Sequence, residues 1–215
     1  MHLTMLGHSC MRLEAGGRTL VIDPGIFSDR SALDGADAVL VTHEHADHFD
    51  ADFIRGAMAA NPALELWSNA SVAGGLADLG DRVHVAAAGD VVDPAGFSVA
   101  VQGELHAEIH PEIPRVRNIC FLVNGDIFHP GDSLTRSGTP VRTLLLPVNA
   151  PWLKFADGVE WARSIRPELV VAIHDGFLND RGLALVDPLL GSPLLAGDGP
   201  AVEYRRLVSG ETIDR

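Results

Sequence analysis

The sequence predicts an α/β fold, because strand-like and helix-like segments alternate along most of its 215 residues. Short apolar runs rich in β-branched residues are bounded by turn residues, and longer Ala-rich segments lie between them. The composition, 47% hydrophobic and 21% charged, is typical of a globular chain. No Ser/Gly-rich or charged linker interrupts it, and this length can form a substantial core. We therefore expect one α/β domain over residues 1–215.

The first half is predicted to be mostly strands followed by two helices. Helix 50–60 has an Ala-rich body that Asn61 and Pro62 stop, and helix 70–79 ends at Gly80. Apolar or alternating patterns predict strands at 2–6, 11–14, 18–22 and 39–42.

The second half repeats the scheme. Residues 99–106 look like one strand that runs directly into His106. A helix is predicted at 155–165, before Arg166 and Pro167, and another at 182–190 that is broken near Pro188. Further strands are predicted at 119–123, 127–129, 143–147 and 169–173.

The most informative segment directly follows the apolar run 38–42. It reads His43-Glu44-His45-Ala46-Asp47-His48. Because His43 and His45 are two residues apart, they point the same way in an extended segment, whereas Asp47 and His48 can face a second point nearby. Neutral imidazole and carboxylate oxygen are natural ligands of zinc-like cations. Open α/β sheets also place ligand sites at the carboxyl ends of strands, so the segment predicts a metal site.

Additional ligand candidates occur at other predicted strand ends. His106 ends strand 99–106, Asp132 follows a Pro-Gly turn, and His174 ends the apolar run 169–173. His110 lies four residues after His106 and is an alternative to it. We prefer His106 because it ends the strand directly, while His110 lies deeper in a Pro-rich loop.

These motifs resemble the metallo-β-lactamase superfamily of metal-dependent hydrolases. The resemblance rests on His43-x-His45-x-Asp47-His48, a later lone histidine, Gly131-Asp132-Ser133 and His174. Leu6-Gly7-His8-Ser9-Cys10 and Asp23-Pro24-Gly25 are similar to the branch that holds ascorbate-6-phosphate lactonase-like proteins and other small zinc-dependent hydrolases. The resemblance implies a four-layer αββα sandwich with its site along the common edge of two sheets.

The resemblance also implies two divalent metal ions, which we expect to be Zn²⁺, with Mn²⁺ or Fe²⁺ as alternatives. Asp132 would bridge them. The first metal would be held by His43, His45 and His106, and the second by Asp47, His48 and His174.

Asp47 and His8 are the candidate catalytic residues. By resemblance, Asp47 orients a metal-bridging hydroxide and shuttles a proton. Hydroxide would be available at neutral pH because paired cations lower the pKa of water towards ~7. His8 lies in a turn that the family places beside the metals, and a purely structural role is the alternative. Metal-bound imidazoles need a partner for their other ring nitrogen, and Asp23, Glu44 and Asp175 are candidates.

The expected reaction is hydrolysis of a small substrate such as a lactone or phosphoester. If that substrate is anionic, Arg115, Arg117 and Arg136 are candidate contacts. A net charge of −13 and a single lysine argue against nucleic acid, which clustered basic residues would bind. A nuclease or nucleotide phosphodiesterase and a non-catalytic metal-binding module remain the alternatives.

The sequence gives less information about the cellular location and the oligomeric state of the protein than about its site. The N-terminus lacks a basic start and a long apolar stretch, and no apolar run reaches the ~18 residues of a membrane span. Cys10 and Cys120 are far apart in apolar contexts, as expected of reduced core residues. A cytoplasmic enzyme with a small-molecule substrate and no membrane partner is expected, and its oligomeric state is not predicted.

Overall fold

The computed structural model describes residues 1–215 and contains two seven-stranded mixed sheets. The first sheet has the order β14-β1-β2-β3-β4-β5-β6. Its strands are β1 His2–Met5, β2 Met11–Ala15, β3 Arg18–Ile22, β4 Ala38–Val41, β5 Glu65–Ser68, β6 Val83–Val85 and β14 Thr212–Asp214. From β3 to β6 the strands are parallel, whereas β14, β1, β2 and β3 pair antiparallel.

The second sheet has the order β13-β12-β11-β10-β9-β8-β7. Its strands are β7 Val91–Val92, β8 Val99–Gln102, β9 Cys120–Val123, β10 Ile127–His129, β11 Thr143–Pro147, β12 Leu169–Ile173 and β13 Glu203–Arg205. Strands β10 to β13 are parallel, and the other neighbours pair antiparallel. Every residue of β11 and β12 is buried, which is typical of parallel strands covered on both faces.

Four helices pack on the outer faces of the sheets: α1 Ala51–Ala60, α2 Ala70–Gly75, α3 Phe155–Ile165 and α4 Asp180–Leu190. Asp50 caps α1 by accepting a hydrogen bond from the Phe53 amide, and Asn69 caps α2 in the same way. None of the helices is long and apolar enough to cross a bilayer.

Three apolar clusters correspond to the three interfaces of a four-layer molecule. The largest joins the two sheets, with Leu13 and Leu40 from one and Phe121 from the other. A second packs α3 and α4 on the second sheet, and a third packs α1 and α2 on the first. This layering confirms the predicted αββα sandwich.

Three predicted elements differ from the structure. β8 ends at Gln102 and does not run into His106, because Gly103 turns the chain with a φ of +71°. The predicted helix 70–79 stops at Gly75 and gives way to a 3₁₀ segment, Ala77–Arg82, in which Gly80 is non-helical.

The third difference is at Pro188. α4 begins at Asp180 and continues through the proline to Leu190. Pro188 lies in the last turn, so the helix loses little of its hydrogen bonding and needs no break there. The sequence patterns also missed β5, β6, β7, β13 and β14.

Candidate metal centre

Two groups of histidine and aspartate side chains lie next to each other where strands of both sheets end. We call His43, His45, His106 and Asp132 the first cluster. The second cluster contains His8, Asp47, His48 and His174. Within each cluster, the atoms that could bind a metal lie within 4.8 Å of one another. All eight candidate site residues that the sequence singled out therefore meet in one place.

The loop after β4 supplies half of these side chains. It turns tightly, since the amides of His48 and Phe49 both donate to the carbonyl of His45. The rings of His43 and His45 lie on the same side of the loop in an edge-to-face arrangement, with centroids 4.7 Å apart, as their spacing predicts. Gly25 backs the loop so closely that a Cβ there would overlap the backbone of Asp47. This close approach explains the need for glycine in Asp23-Pro24-Gly25.

Asp132 lies between the two clusters. Its Oδ2 is 3.3 Å from Nε2 of His106, in the first cluster. Its Oδ1 is 3.0 Å from Nε2 of His48 and 3.2 Å from Nε2 of His174, in the second. The Asp132 amide donates to Oδ1 of Asn118, and the indole Nε1 of Trp152 donates to Oδ2 of Asp132 over 2.8 Å. The carboxylate is thus held with one oxygen towards each cluster.

Four buried histidines of the two clusters are each anchored through Nδ1: His43, His48, His106 and His174. His106 donates to the carbonyl of Ala107 over 2.6 Å, and His174 donates to the carbonyl of Asn149 over 2.5 Å. Nδ1 of His48 lies 2.7 Å from a carboxylate oxygen of Asp23. With Nδ1 carrying the hydrogen, each Nε2 presents a lone pair towards the centre of its cluster.

Asp23 anchors two of these rings. Besides its contact with His48, it accepts hydrogen bonds from the amide and the hydroxyl of Thr42. Since the Thr42 hydroxyl donates to Asp23, its oxygen can accept from Nδ1 of His43, 3.0 Å away. Of the three carboxylates predicted to support the imidazoles, Asp23 does so. Glu44 is exposed and accepts from Ser71, and Asp175 makes no hydrogen bond to a site histidine.

Five buried atoms at the centre have no hydrogen-bond partner: Nε2 of His43, His48, His106 and His174, and Oδ1 of Asp132. Unpaired buried polar atoms are costly, and their convergence calls for a shared cationic partner. Imidazole nitrogens and carboxylate oxygens form the donor set of a zinc-like divalent ion. The residues present therefore fit the two-metal site that the fold implies.

The electrostatics of the centre favour cation binding. Burial, with His48 next in effect, lowers the pKa of His43 well below its usual value, and burial also lowers the pKa of His45, so both rings stay neutral. Burial opposes ionisation of Asp132, yet the neighbouring histidines, His48 first among them, hold its pKa well below normal. Burial also opposes a charge on His48, but Asp132 and Asp23 raise the pKa of His48 well above its usual value. A bound cation would take the place of the proton on His48, which leaves neutral imidazoles beside ionised carboxylates, the protonation state that metal binding needs.

His8 differs from the other histidines of the second cluster. Its Nδ1 accepts a hydrogen bond from the amide of Gly176, so its hydrogen sits on Nε2, 3.3 Å from Oδ2 of Asp47. Burial lowers the pKa of His8 to about 4, which keeps the ring neutral. Burial alone would raise the pKa of Asp47, but the His8 hydrogen bond and two nearby histidines lower it to about 2.

Two further histidines, His110 and His129, make hydrogen bonds outside the two clusters. His110 is exposed, and its Nδ1 accepts from the amide of Glu112. His129 is buried, but the carbonyl of Ser9 and the amide of Gly131 occupy its two nitrogens. His106, not His110, therefore joins the first cluster.

Three of the six non-glycine residues with positive φ lie at the centre. His8, Asp23 and His174 have φ values of +55°, +52° and +62°, a region that non-glycine residues rarely adopt. Such conformations persist where surrounding contacts enforce them, often at functional sites. Sequence reasoning missed Thr42, Asn118 and the indole of Trp152, because their roles depend on contacts between distant segments.

Comparison with known sequences is consistent with this geometry. Residues 2–174 match the sequence profile of the Beta-lactamase superfamily domain. Protein Rv0786c of Mycobacterium tuberculosis is 35% identical in an alignment of 220 positions, which covers 100% of this chain and 94% of that protein. The UPF0173 metal-dependent hydrolase Atu1317 of Agrobacterium fabrum is 31% identical over 138 residues, 60% of this chain and 58% of that protein.

Solved structures share the fold. Igni18, a metallo hydrolase from Ignicoccus hospitalis, superposes with a TM-score of 0.74 at 21% identity, covering 99% of this chain and 97% of that one. The metallo-beta-lactamase fold protein YhfI from Bacillus subtilis has a TM-score of 0.67 at 13% identity, covering 99% and 98%. At these identities the likeness concerns the fold alone.

Proposed function

The chain belongs to the beta-lactamase superfamily and is a metal-dependent hydrolase of the metallo-β-lactamase fold. We propose that its two clusters hold two divalent cations and that the protein uses them to hydrolyse a small substrate. The expected metal is zinc, with manganese and iron as alternatives. The observation that carries the proposal is the convergence of five buried, unpaired ligand atoms on one centre. A lactone or a phosphoester is the expected class of substrate.

In this proposal His43, His45 and His106 bind one cation, and Asp47, His48 and His174 bind the other. Asp132 binds both, which its position between the clusters supports. His8 belongs to the second cluster by distance, but the hydrogen on its Nε2 makes it a donor to Asp47 and not a ligand. The anchored Nδ1 atoms support the same ligand set, because they leave only Nε2 free.

Bound divalent cations supply a water whose pKa falls from ~16 towards ~7, and they polarise the carbonyl or phosphoryl oxygen under attack. The protein's own residues provide position and proton transfer. Asp47 is partly exposed, with one oxygen held by His8 and the other without a hydrogen bond. It can therefore accept a proton from the attacking water and later deliver it to the leaving group.

The charge distribution supports a small substrate over a nucleic acid. The chain has a net charge of −13 and one lysine. Most of its arginines are paired with carboxylates, for example Arg30 with Asp50 and Arg55 with Asp78. Binding a phosphate backbone takes many unpaired basic groups, and this pairing leaves few of them.

Metal analysis combined with a substrate screen tests the proposal. Zinc-reconstituted protein should contain close to two metal ions per chain by elemental analysis and hydrolyse at least one of a panel of lactones, phosphoesters and thioesters. His48→Ala, which removes a buried ligand, should lose metal, whereas His110→Ala should not. Protein that takes up no metal on reconstitution would refute the proposal.

A further inference from the structure

Two aromatic side chains from distant loops meet beside the second cluster. Phe27 lies between β3 and β4, and Phe177 lies between β12 and α4. Their ring centroids are 5.3 Å apart with perpendicular planes, the favourable edge-to-face arrangement. We call this pair the aromatic wall. Phe27 is 42% exposed and Phe177 is 53% exposed, so neither ring is buried in the core.

The aromatic wall is in direct contact with residues of the centre. Both rings pack edge-to-face on His8. The centroid of the His8 ring lies 5.4 Å from that of Phe27 and 5.3 Å from that of Phe177. The ring of Phe177 is also 5.9 Å from that of His174. Ile26, 48% exposed, extends the apolar surface next to Phe27. An exposed apolar surface therefore adjoins the second cluster.

No lysine or arginine forms an ion pair with Asp47 or Asp132, the two carboxylates of the clusters. The groups that most strongly lower the pKa of Asp47 and Asp132 are histidines. Of the three arginines predicted as anion contacts, Arg115 donates to the backbone carbonyl of His106. Arg117 and Arg136 form no ion pair. Neither ring of the aromatic wall has a cationic group stacked on it, since the one such contact in the structure joins Arg30 to Phe53.

We propose that the aromatic wall determines specificity, by packing against a neutral aromatic or branched-alkyl group next to the scissile bond of the substrate. This inference rests on the proposed hydrolase function and names its substrate class as neutral esters or lactones with such a group. His8 supports the wall from behind, so the same ring that donates to Asp47 also positions Phe27 and Phe177. The rings leave an open face of apolar surface whose burial by a ligand is favourable.

Binding without turnover tests the wall directly. The probes are 2-phenylethanol and 4-(2-hydroxyethyl)benzoate, which differ only by a carboxylate, titrated into zinc-loaded protein and followed by protein NMR. The neutral probe should bind at least about fivefold more tightly than the anionic one. The Phe27→Ala/Phe177→Ala protein should lose about tenfold in affinity for the neutral probe, because stacking and apolar burial are lost.

Two variants serve as controls. Phe27→Leu/Phe177→Leu keeps an apolar surface and should retain most of the affinity. Val85→Ala/Val91→Ala removes two exposed apolar side chains from the edge strands β6 and β7 and should bind like the wild type. Melting temperatures and metal content measured in parallel identify any variant that fails to fold.

Hydrolysis gives a second, separate measurement. For methyl phenylacetate and its 4-carboxy analogue, the wild type should favour the neutral ester in kcat/KM, and the double alanine variant should lose most of that preference. If the wild type binds the neutral probe through the aromatic wall but hydrolyses no ester, the proposed reaction is wrong, whereas the proposed binding role of the aromatic wall is supported. Equal binding of both probes, or alanine variants that bind as the wild type does, would overturn the wall itself.

Discussion

Nε2 of His8 donates to Oδ2 of Asp47 across 3.3 Å, joining the turn after β1 to the loop after β4. The amide of Gly176 fixes the ring by donating to its Nδ1 over 3.1 Å, so three distant segments meet at one imidazole. A Cβ at Gly176 would lie 2.8 Å from that nitrogen, which is why a glycine is needed there. His8 thereby holds the carboxylate that we propose as the proton acceptor.

Replacing His8 should lower turnover without removing metal. His8→Phe keeps a ring but loses the donor to Asp47, and we expect kcat to fall ~10- to 100-fold, since a hydrogen bond to a charged group contributes ~1.5–3 kcal/mol. His8→Gln can donate and accept at similar positions and should recover part of the loss. Steady-state kinetics and elemental analysis measure both effects. Loss of one metal in His8→Phe would instead make His8 a ligand.

Asp47 and Asp132 should respond differently to substitution. Asp132→Ala removes the carboxylate that lies between the clusters and should lower metal occupancy. Asp47→Asn keeps the shape but removes the proton acceptor, so it should retain at least one metal and lose ~10²- to 10⁴-fold in turnover. Metal content and kcat on a verified substrate decide this. An Asp47→Asn protein with near-full activity would exclude this carboxylate from the chemistry.

His106 should be needed for the first metal, and His110 should not. Nε2 of His106 is buried without a partner, whereas His110 is exposed in the following loop. His106→Ala should abolish binding at the first cluster, and His110→Ala should leave the metal stoichiometry unchanged. Cobalt substitution followed by absorption spectroscopy reports on each site without turnover. Metal loss in His110→Ala alone would reverse the assignment.

Asp23 should control metal affinity although it touches no metal in the proposed arrangement. Asp23→Asn weakens the support of His48 and of Thr42, and partners of this kind typically change metal affinity by 10- to 100-fold. Asp175→Asn is the matched control, because that carboxylate makes no hydrogen bond to a site histidine. Competition with a chelator measures the affinities. Equal affinity in the two variants would argue against a supporting role for Asp23.

The two cysteines should be unreactive in the folded protein. Burial raises the pKa of Cys10 to about 12 and that of Cys120 to about 11. At pH 8 both should therefore resist iodoacetamide until the chain unfolds in denaturant. The raised pKa values contribute stability below pH 9 that is lost as the pH rises towards 11, because only the unfolded chain then releases its thiol protons. Labelling measured by mass spectrometry, with melting temperatures at pH 8 and pH 10.5, checks both outcomes.

Elements with strong local signals can be predicted from the sequence alone. The patterns at 18–22, 127–129, 143–147, 155–165 and 169–173 predict five elements with the bounds that the structure has. Periodic apolar residues and adjacent turn or capping residues act over a few positions, so they can be recognised without the fold. The site segment 43–48 was recognisable for the same reason.

The way in which these elements meet depends on long-range contacts in the folded protein. The edge strands β13 and β14 are short and mostly exposed, and they form by pairing with strands far away in the chain, which leaves no local pattern. The end of β8 depends on the turn at Gly103. The contacts of Trp152 with Asp132 and of Phe27 with Phe177 join segments that only folding brings together. Local patterns specify secondary structure, whereas the support of the metal centre and its aromatic wall arise from long-range packing that those patterns do not encode.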